Sequence, residues 1–259
     1  MDFGMPFLLE NQTVEDAAAL CSELDLRFVE LNLNFPACSL ENLDVQELYR
    51  LKRKYGVYFT IHLEEDCNPF AYNSAVRRAW LESIRKTLIL AQAVHAPVVN
   101  MHLPKGIYIT LPEERVYLFK RYADEYRLAL SELKSLCEDV LTGSDTRMAI
   151  ENTDGFAAHE QEAVAFLLES PVFGLTLDIG HSHAVGNVDE PFYEQYENRL
   201  IHMHGHDALG KNNHLALGDG EIDLVRQLRR ADASGARVVL ETKTIRALRT
   251  SVAWLEKYL

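Results

Sequence analysis

Six short apolar runs of this chain each close on a side chain able to hold a divalent cation. They are Phe59-Thr60-Ile61-His62, Val99-Asn100-Met101-His102, Met148-Ala149-Ile150-Glu151, Leu175-Thr176-Leu177-Asp178, Leu200-Ile201-His202-Met203-His204 and Val238-Val239-Leu240-Glu241. Glu151, Asp178, His204 and Glu241 make a set of three carboxylates and one imidazole. Any one of them alone reads equally well as an ion-pair partner or a capped loop. Crowded together without a cation, the carboxylates would repel one another or take up protons. A divalent ion removes that conflict. Mixed oxygen and nitrogen ligation suits Mn²⁺, Zn²⁺, Co²⁺ or Fe²⁺ better than Ca²⁺. His62 and His102 close neighbouring runs and are candidates either for a second metal position beside Glu151 or for hydrogen bonds to substrate.

The elements that must position these residues alternate. Strands are expected at Phe28–Asn32, Tyr58–His62, Val98–His102, Met148–Glu151, Gly174–Asp178, Leu200–His204 and Val238–Glu241, with a first, weakly marked one around Asp2–Met5. Helices are expected at Asp44–Tyr55, with Gly56 just past the end, at Ser74–His95, stopped by Pro97, and at Ala247–Tyr258. Thr110-Leu111-Pro112-Glu113 has the form of a capping box with Pro in the first turn, predicting a long helix from there to Leu141. Alternating β and α with short connections argues for a parallel sheet. Six ligand-bearing strand ends argue that the sheet closes, because an open sheet focuses on a single switch point. The expectation is a (β/α)8 TIM barrel, a single domain over residues 1–259, with its site at the C-terminal ends of the strands.

Side-chain alternation agrees. Counting back from each terminal ligand, one face carries Thr60, Asn100, Ala149, Thr176, His202 and Val239. The other carries Ile61, Met101, Ile150, Leu177, Met203 and Leu240, all large and apolar, as packing against outer helices requires. Glu30 and Asn32 share one parity of their strand and are candidates for the interior.

Length and composition fit one barrel: 259 residues, 47% of them hydrophobic. No apolar stretch approaches the ~20 residues of a membrane span. Met1-Asp2-Phe3-Gly4 has no basic segment leading into an apolar run, and the four cysteines have no CxxC spacing. The expectation is a cytoplasmic protein with reduced thiols. A net charge of -13 disfavours nonspecific binding to nucleic acid or anionic membrane. No Gly-rich phosphate loop follows the first strand.

Of the ten histidines, all but His95 and His159 fall at strand ends or just after them. His181 stands three residues after Asp178. His206, Asp207 and His214 follow His204 and lead into Leu217-Gly218-Asp219-Gly220-Glu221-Ile222-Asp223. Some of these must hold ligand carboxylates or substrate hydroxyls rather than metal. Lys105, Lys211, Lys243 and Arg246 follow strands four, seven and eight. Lys243 is the candidate substrate contact, and a solvated face accounts for most of the others.

At these residues the chain resembles the xylose-isomerase-like barrel superfamily, which groups sugar isomerases and epimerases, inosose dehydratase-type enzymes and the endonuclease IV type of AP endonuclease. The stretch from His204-Gly205-His206-Asp207 through His214 to Asp223 is similar to its strand-seven signature, and Leu177-Asp178-Ile179-Gly180-His181 is the next most specific piece. The resemblance implies that Glu151, Asp178, His204 and Glu241 hold the metal of an epimerase. For the endonuclease branch it implies His62, His102 and Glu151 at a first metal and His181 with His214 at a third. There the pattern expects Asp where this chain has Asn212, a weaker ligand.

Two enzyme classes follow. The leading one is a metal-dependent sugar or sugar-phosphate isomerase or epimerase, with Glu151 and Glu241 as the acid–base pair and as ligands, and with His62, His102, His181, His214 and Lys243 as candidate substrate contacts. A keto-polyol dehydratase would share its first half-reaction. The rival is a phosphodiesterase of the AP endonuclease kind, which needs a basic surface. Acidic residues outnumber basic ones here, 39 to 26. A barrel serving only as a binding module is disfavoured by the presence of both glutamates. The sequence leaves oligomerisation open.

Overall fold

A computed structural model describes residues 1–258. Eight parallel strands close into a barrel. They are β1 (Phe3–Pro6), β2 (Phe28–Asn32), β3 (Tyr58–His62), β4 (Val98–His102), β5 (Arg147–Glu151), β6 (Phe173–Asp178), β7 (Leu200–Gly205) and β8 (Arg237–Leu240). Each pairs with its neighbours in chain order, and β1 pairs with β8, Phe3 opposite Val238, to shut the ring. The predicted (β/α)8 architecture is therefore present. Glu241 lies one residue past β8 rather than inside it. Its N–H still donates to the Gly205 carbonyl at 3.1 Å, so the strand-end geometry carries through to its side chain.

The two strand faces separate as alternation requires. Ile61, Met101, Ile150, Leu177, Met203 and Leu240 are buried in the helix-facing core. The inner face is polar toward the C-terminal end. Thr60 Oγ1 donates to Glu30 Oε2 at 3.1 Å, and Thr176 Oγ1 donates to Asn100 Oδ1 at 2.6 Å. Glu30 is thus an interior residue, whereas Asn32 is half-buried and turns back to Asn34.

The helices follow their local signals. In the helix Val45–Tyr55 the Asp44 side chain accepts from the Glu47 N–H, and Gly56 ends it at φ 69°, a conformation an L side chain resists. The connection after β4 departs from expectation. Thr110–Glu113 does not open a helix. Tyr108–Thr110 and Arg115–Tyr117 form an antiparallel hairpin, with the Leu111 N–H bonded to the Glu114 carbonyl at 2.8 Å across its turn. Pro112 takes the second position of that turn, where its fixed φ is as well placed as in a first helical turn. The β-branched and aromatic run Ile107-Tyr108-Ile109-Thr110 settles the competition toward strand. Helix resumes at Leu118–Arg121, breaks at Tyr122 and continues as Ala123–Leu141.

Candidate active site

Consecutive strands β5 to β8 deliver Glu151, Asp178, His204 and Glu241 to one point. One ligand atom from each lies within 4.8 Å of the others. His204 Nδ1 is 3.0 Å from Glu151 Oε1, 3.1 Å from Glu241 Oε2 and 3.9 Å from Asp178 Oδ2. Glu151, Asp178 and His204 are buried, while the Glu241 side chain keeps 17% of its surface and faces the mouth.

Each member is held from behind. Asn100 donates its amide N–H to Glu151 Oε2, and the Thr176 hydroxyl fixes which way that amide turns. Asn152 grips Asp178 through its backbone, accepting from the N–H at 2.8 Å and donating to the carbonyl at 3.1 Å. Tyr193 donates its hydroxyl to the Thr176 carbonyl at 2.7 Å, beside the Asn152 oxygen. Asp178 also caps the short helix Ile179–Ala184, taking the His181 N–H on Oδ1 at 2.7 Å. His204 Nε2 faces Glu30 Oε1 at 2.9 Å.

Burial by itself would raise the carboxyl pKa values. Around Glu151 the His204 and His102 rings overcome it and hold the carboxyl well below its usual range. Around Glu241 the His204 ring does the same, helped by Lys243 and His214. Burial opposes charge on His204 too, yet Glu151, Glu30 and Glu241 push its pKa well above the usual imidazole value. The pocket demands positive charge. Glu241 Oε2 is buried without a hydrogen bond, its approach to His204 being off hydrogen-bond geometry. An orphaned carboxylate oxygen facing converging O and N donors fits a divalent transition ion.

His62 and His102 sit beside this set with their rings perpendicular, centroids 4.8 Å apart. Each presents Nε2 to Glu151 Oε2 at 3.4 Å. His62 Nδ1 lies 2.6 Å from the Leu63 carbonyl, so it carries a proton, and Nε2 is the nitrogen turned to Glu151. Burial opposes a proton on His62, but Glu151 raises its pKa to about 9. Glu151 therefore joins two clusters, one oxygen on each side.

His181, His206 and His214 also come together. Their nitrogens are differently committed. The His214 N–H donates to His206 Nδ1 at 2.8 Å, and His206 Nε2 donates to Asp178 at 2.9 Å, leaving His206 no free lone pair. His214 Nδ1 lies 3.2 Å from the Glu241 carbonyl, and burial pushes its pKa down to about 4. His181 Nδ1 alone is buried without a partner. Asn212 is exposed on the hairpin after β7 and is not among them. Lys243 reaches the site from its rim, its Nζ 2.9 Å from Glu241 Oε1 with the side chain 60% exposed. Lys105 is paired with Asp154 outside the clusters.

The signature run after β7 is largely architecture. Asp207 Oδ2 accepts from the Gly218 and Gly220 N–H groups, and Oδ1 from those of Ala208 and Ile222, at 2.9 to 3.1 Å. Gly218 adopts φ +90°, and any side chain on Gly220 would overlap Asp207 and the Ala208 carbonyl. Gly180 likewise leaves room for the His206 ring. The contributions of Glu30, Asn100, Asn152 and His206 were not readable as roles. For Glu30 and Asn100 the available signal was a polar residue on the inner parity of an apolar strand; Asn152 and His206, just past their strands, lacked even that.

A closed parallel barrel with an acid–imidazole cluster at the C-terminal strand ends defines the class: a (β/α)8 barrel whose polar centre lies where barrel enzymes carry theirs. Residues 18–258 match the model of the xylose isomerase-like TIM barrel, and the chain belongs to that family. It is 28% identical over 225 residues to the uncharacterized protein MJ1311 of Methanocaldococcus jannaschii, covering 83% of this chain and 75% of that one. It superposes on a D-tagatose 3-epimerase-like protein with a TM-score of 0.79 at 27% identity, covering 100% of this chain and 97% of the other. The IolI protein with a bound zinc atom aligns with a TM-score of 0.74 at 15% identity, covering 100% and 99%, a likeness of fold alone. Among the described residues, no helix is long and apolar enough to cross a membrane.

Proposed function

We propose that this protein is a metal-dependent isomerase or epimerase of a sugar or sugar phosphate, working by proton transfer next to a carbonyl. The observation that carries the reading is the approach of Glu151 and Glu241 to His204 Nδ1, at 3.0 and 3.1 Å, with Asp178 beside them. Glu151, Asp178, His204 and Glu241 would hold the ion, which supplies Lewis-acid polarisation of the substrate's carbonyl and hydroxyl oxygens. Glu151 and Glu241 come from the two ends of a four-strand arc, so a substrate lying across the arc meets one carboxylate on each side. Held ionised, either can take the proton from the carbon next to the carbonyl, and the other can return one. Moving the proton between faces inverts the carbon; returning it to the neighbouring carbon isomerises the sugar. His181, whose Nδ1 has no partner, and Lys243, at the rim beside Glu241, would supply donors to substrate hydroxyls. The sugar-epimerase likeness in the D-tagatose 3-epimerase-like relative supports this class.

The cluster of His62, His102 and Glu151 favours a second reading, metal-assisted phosphodiester hydrolysis, because it offers a second ion position next to the first. The commitments of His206 and the outward position of Asn212 weigh against the third position that reading needs. The test is solvent-proton exchange. Ketoses incubated in D₂O with the metal-loaded protein should gain deuterium next to the carbonyl. Nicking of abasic duplex DNA without any such exchange would reverse the assignment.

A further inference from the structure

We infer that Glu30 is the positioning residue of the metal centre: it fixes the His204 tautomer that turns Nδ1 toward Glu151, Asp178 and Glu241. The inference rests on the reading of that quartet as a cation site. Glu30 comes from β2, across the barrel from the strands that carry the quartet, and is 2% exposed. A carboxylate so deeply buried needs partners. It has three. Two are hydrogen bonds from the barrel floor, His202 Nε2 to Oε2 at 2.8 Å and the Thr60 hydroxyl to Oε2 at 3.1 Å, and the third is a close ion-pair contact off hydrogen-bond geometry, His204 Nε2 2.9 Å from Oε1.

An ionised carboxylate only accepts, so His202 presents an N–H at Nε2, and an approach of 2.9 Å between His204 Nε2 and Oε1 is too close for two facing lone pairs and calls for a proton there as well. For a neutral His204 the lone pair then falls on Nδ1, the atom that faces the quartet. Three carboxylates surround Nδ1 and would otherwise draw the ring proton to themselves, sending the lone pair down to the barrel floor. Glu30 is the acceptor that keeps the proton below. His202 engages its other oxygen, and that contact keeps the carboxylate from swinging away from His204. A carboxylate behind a ligand histidine orients the ring and fixes its tautomer in general. Here the arrangement is assembled from β2, β3 and β7, whose residues meet only when the ring closes.

Glu30→Gln keeps the shape but accepts at one atom only, so it can serve His202 or His204 but not both. Zinc affinity by chelator competition should weaken about 10–100-fold in Glu30→Gln, with the circular dichroism of the wild type. Thr60→Val, which leaves both imidazole contacts, should bind zinc like the wild type. The zinc-loaded wild type should also show a slowly exchanging Nε2–H proton of His204 by NMR. Folded Glu30→Gln that binds zinc as tightly as the wild type overturns the inference alone. So does a zinc-loaded wild type lacking that protected proton, which decides the matter even if the variant fails to fold. A wild type that takes up no zinc overturns the cation reading as well.

Discussion

Two histidine-bearing clusters share the barrel mouth, and they are built on opposite logic. In the quartet, acceptors crowd one ring nitrogen: His204 Nδ1 meets two carboxylates within 3.1 Å, hydrogen-bonding one of them, and Glu241 Oε2 has no donor. In the trio of His181, His206 and His214, the lone pair of the central ring faces a donor. His206 spends one nitrogen on the His214 backbone and the other on Asp178. Residue type alone makes both look like metal sites. Counting each nitrogen's partner separates them: a cation can replace the proton shared between His204 Nδ1 and a carboxylate, whereas the Nδ1 lone pair of His206 is taken by a backbone N–H. His206, itself held by the His214 backbone, is then a brace for the Asp178 carboxylate.

The contrast is sharpest in Glu241→Gln. It removes a proposed ligand and one member of the acid–base pair, and proton exchange at the substrate carbon should fall at least ~10³-fold with the fold unchanged. Deuterium incorporation followed by NMR measures it, and near-wild-type exchange removes Glu241 from the mechanism. His206→Leu probes the other side. Asp178 loses its imidazole donor, so zinc affinity should drop about 10–100-fold, while the number of ions bound per chain stays the same. A stoichiometry lower by one would make the trio a metal site after all.

Smaller effects follow for the supports. Gly180→Ala places a methyl group on the His206 ring, and the overlap should destabilise the protein by about 1–3 kcal/mol in urea titration. Asp207→Ala leaves the N–H groups of Ala208, Gly218, Gly220 and Ile222 without their acceptor. Because part of that loop can turn to water, the loss should be about 2 kcal/mol. Exchange activity should persist, since no quartet atom depends on Asp207 directly. Loss of activity without loss of stability would place the loop in the chemistry.

Barrel closure was legible because alternation is a short-range signal. Thr60-Ile61-His62 and Thr176-Leu177-Asp178 display inside, outside and ligand within three residues. The quartet could be assembled from strand ends for the same reason. The hairpin after β4 was not, since Thr110-Leu111-Pro112-Glu113 satisfies the local rules of a helix start and of a tight turn alike, and pairing with Arg115–Tyr117 decided between them. Hydrogen-bond partners across the ring were hidden too. Nothing near Phe28-Val29-Glu30-Leu31 indicates His204, and nothing near His206 indicates that its two nitrogens are spent. Chemistry that depends on which atom faces which needs the closed ring.

The central claim is that Glu151, Asp178, His204 and Glu241 share one cation. Elemental analysis of protein purified without chelator, compared with His204→Asn prepared in parallel, tests it most directly. One transition-metal ion per wild-type chain, absent from folded His204→Asn, is the result predicted. A wild type that carries none, or a variant that keeps its ion, would contradict it.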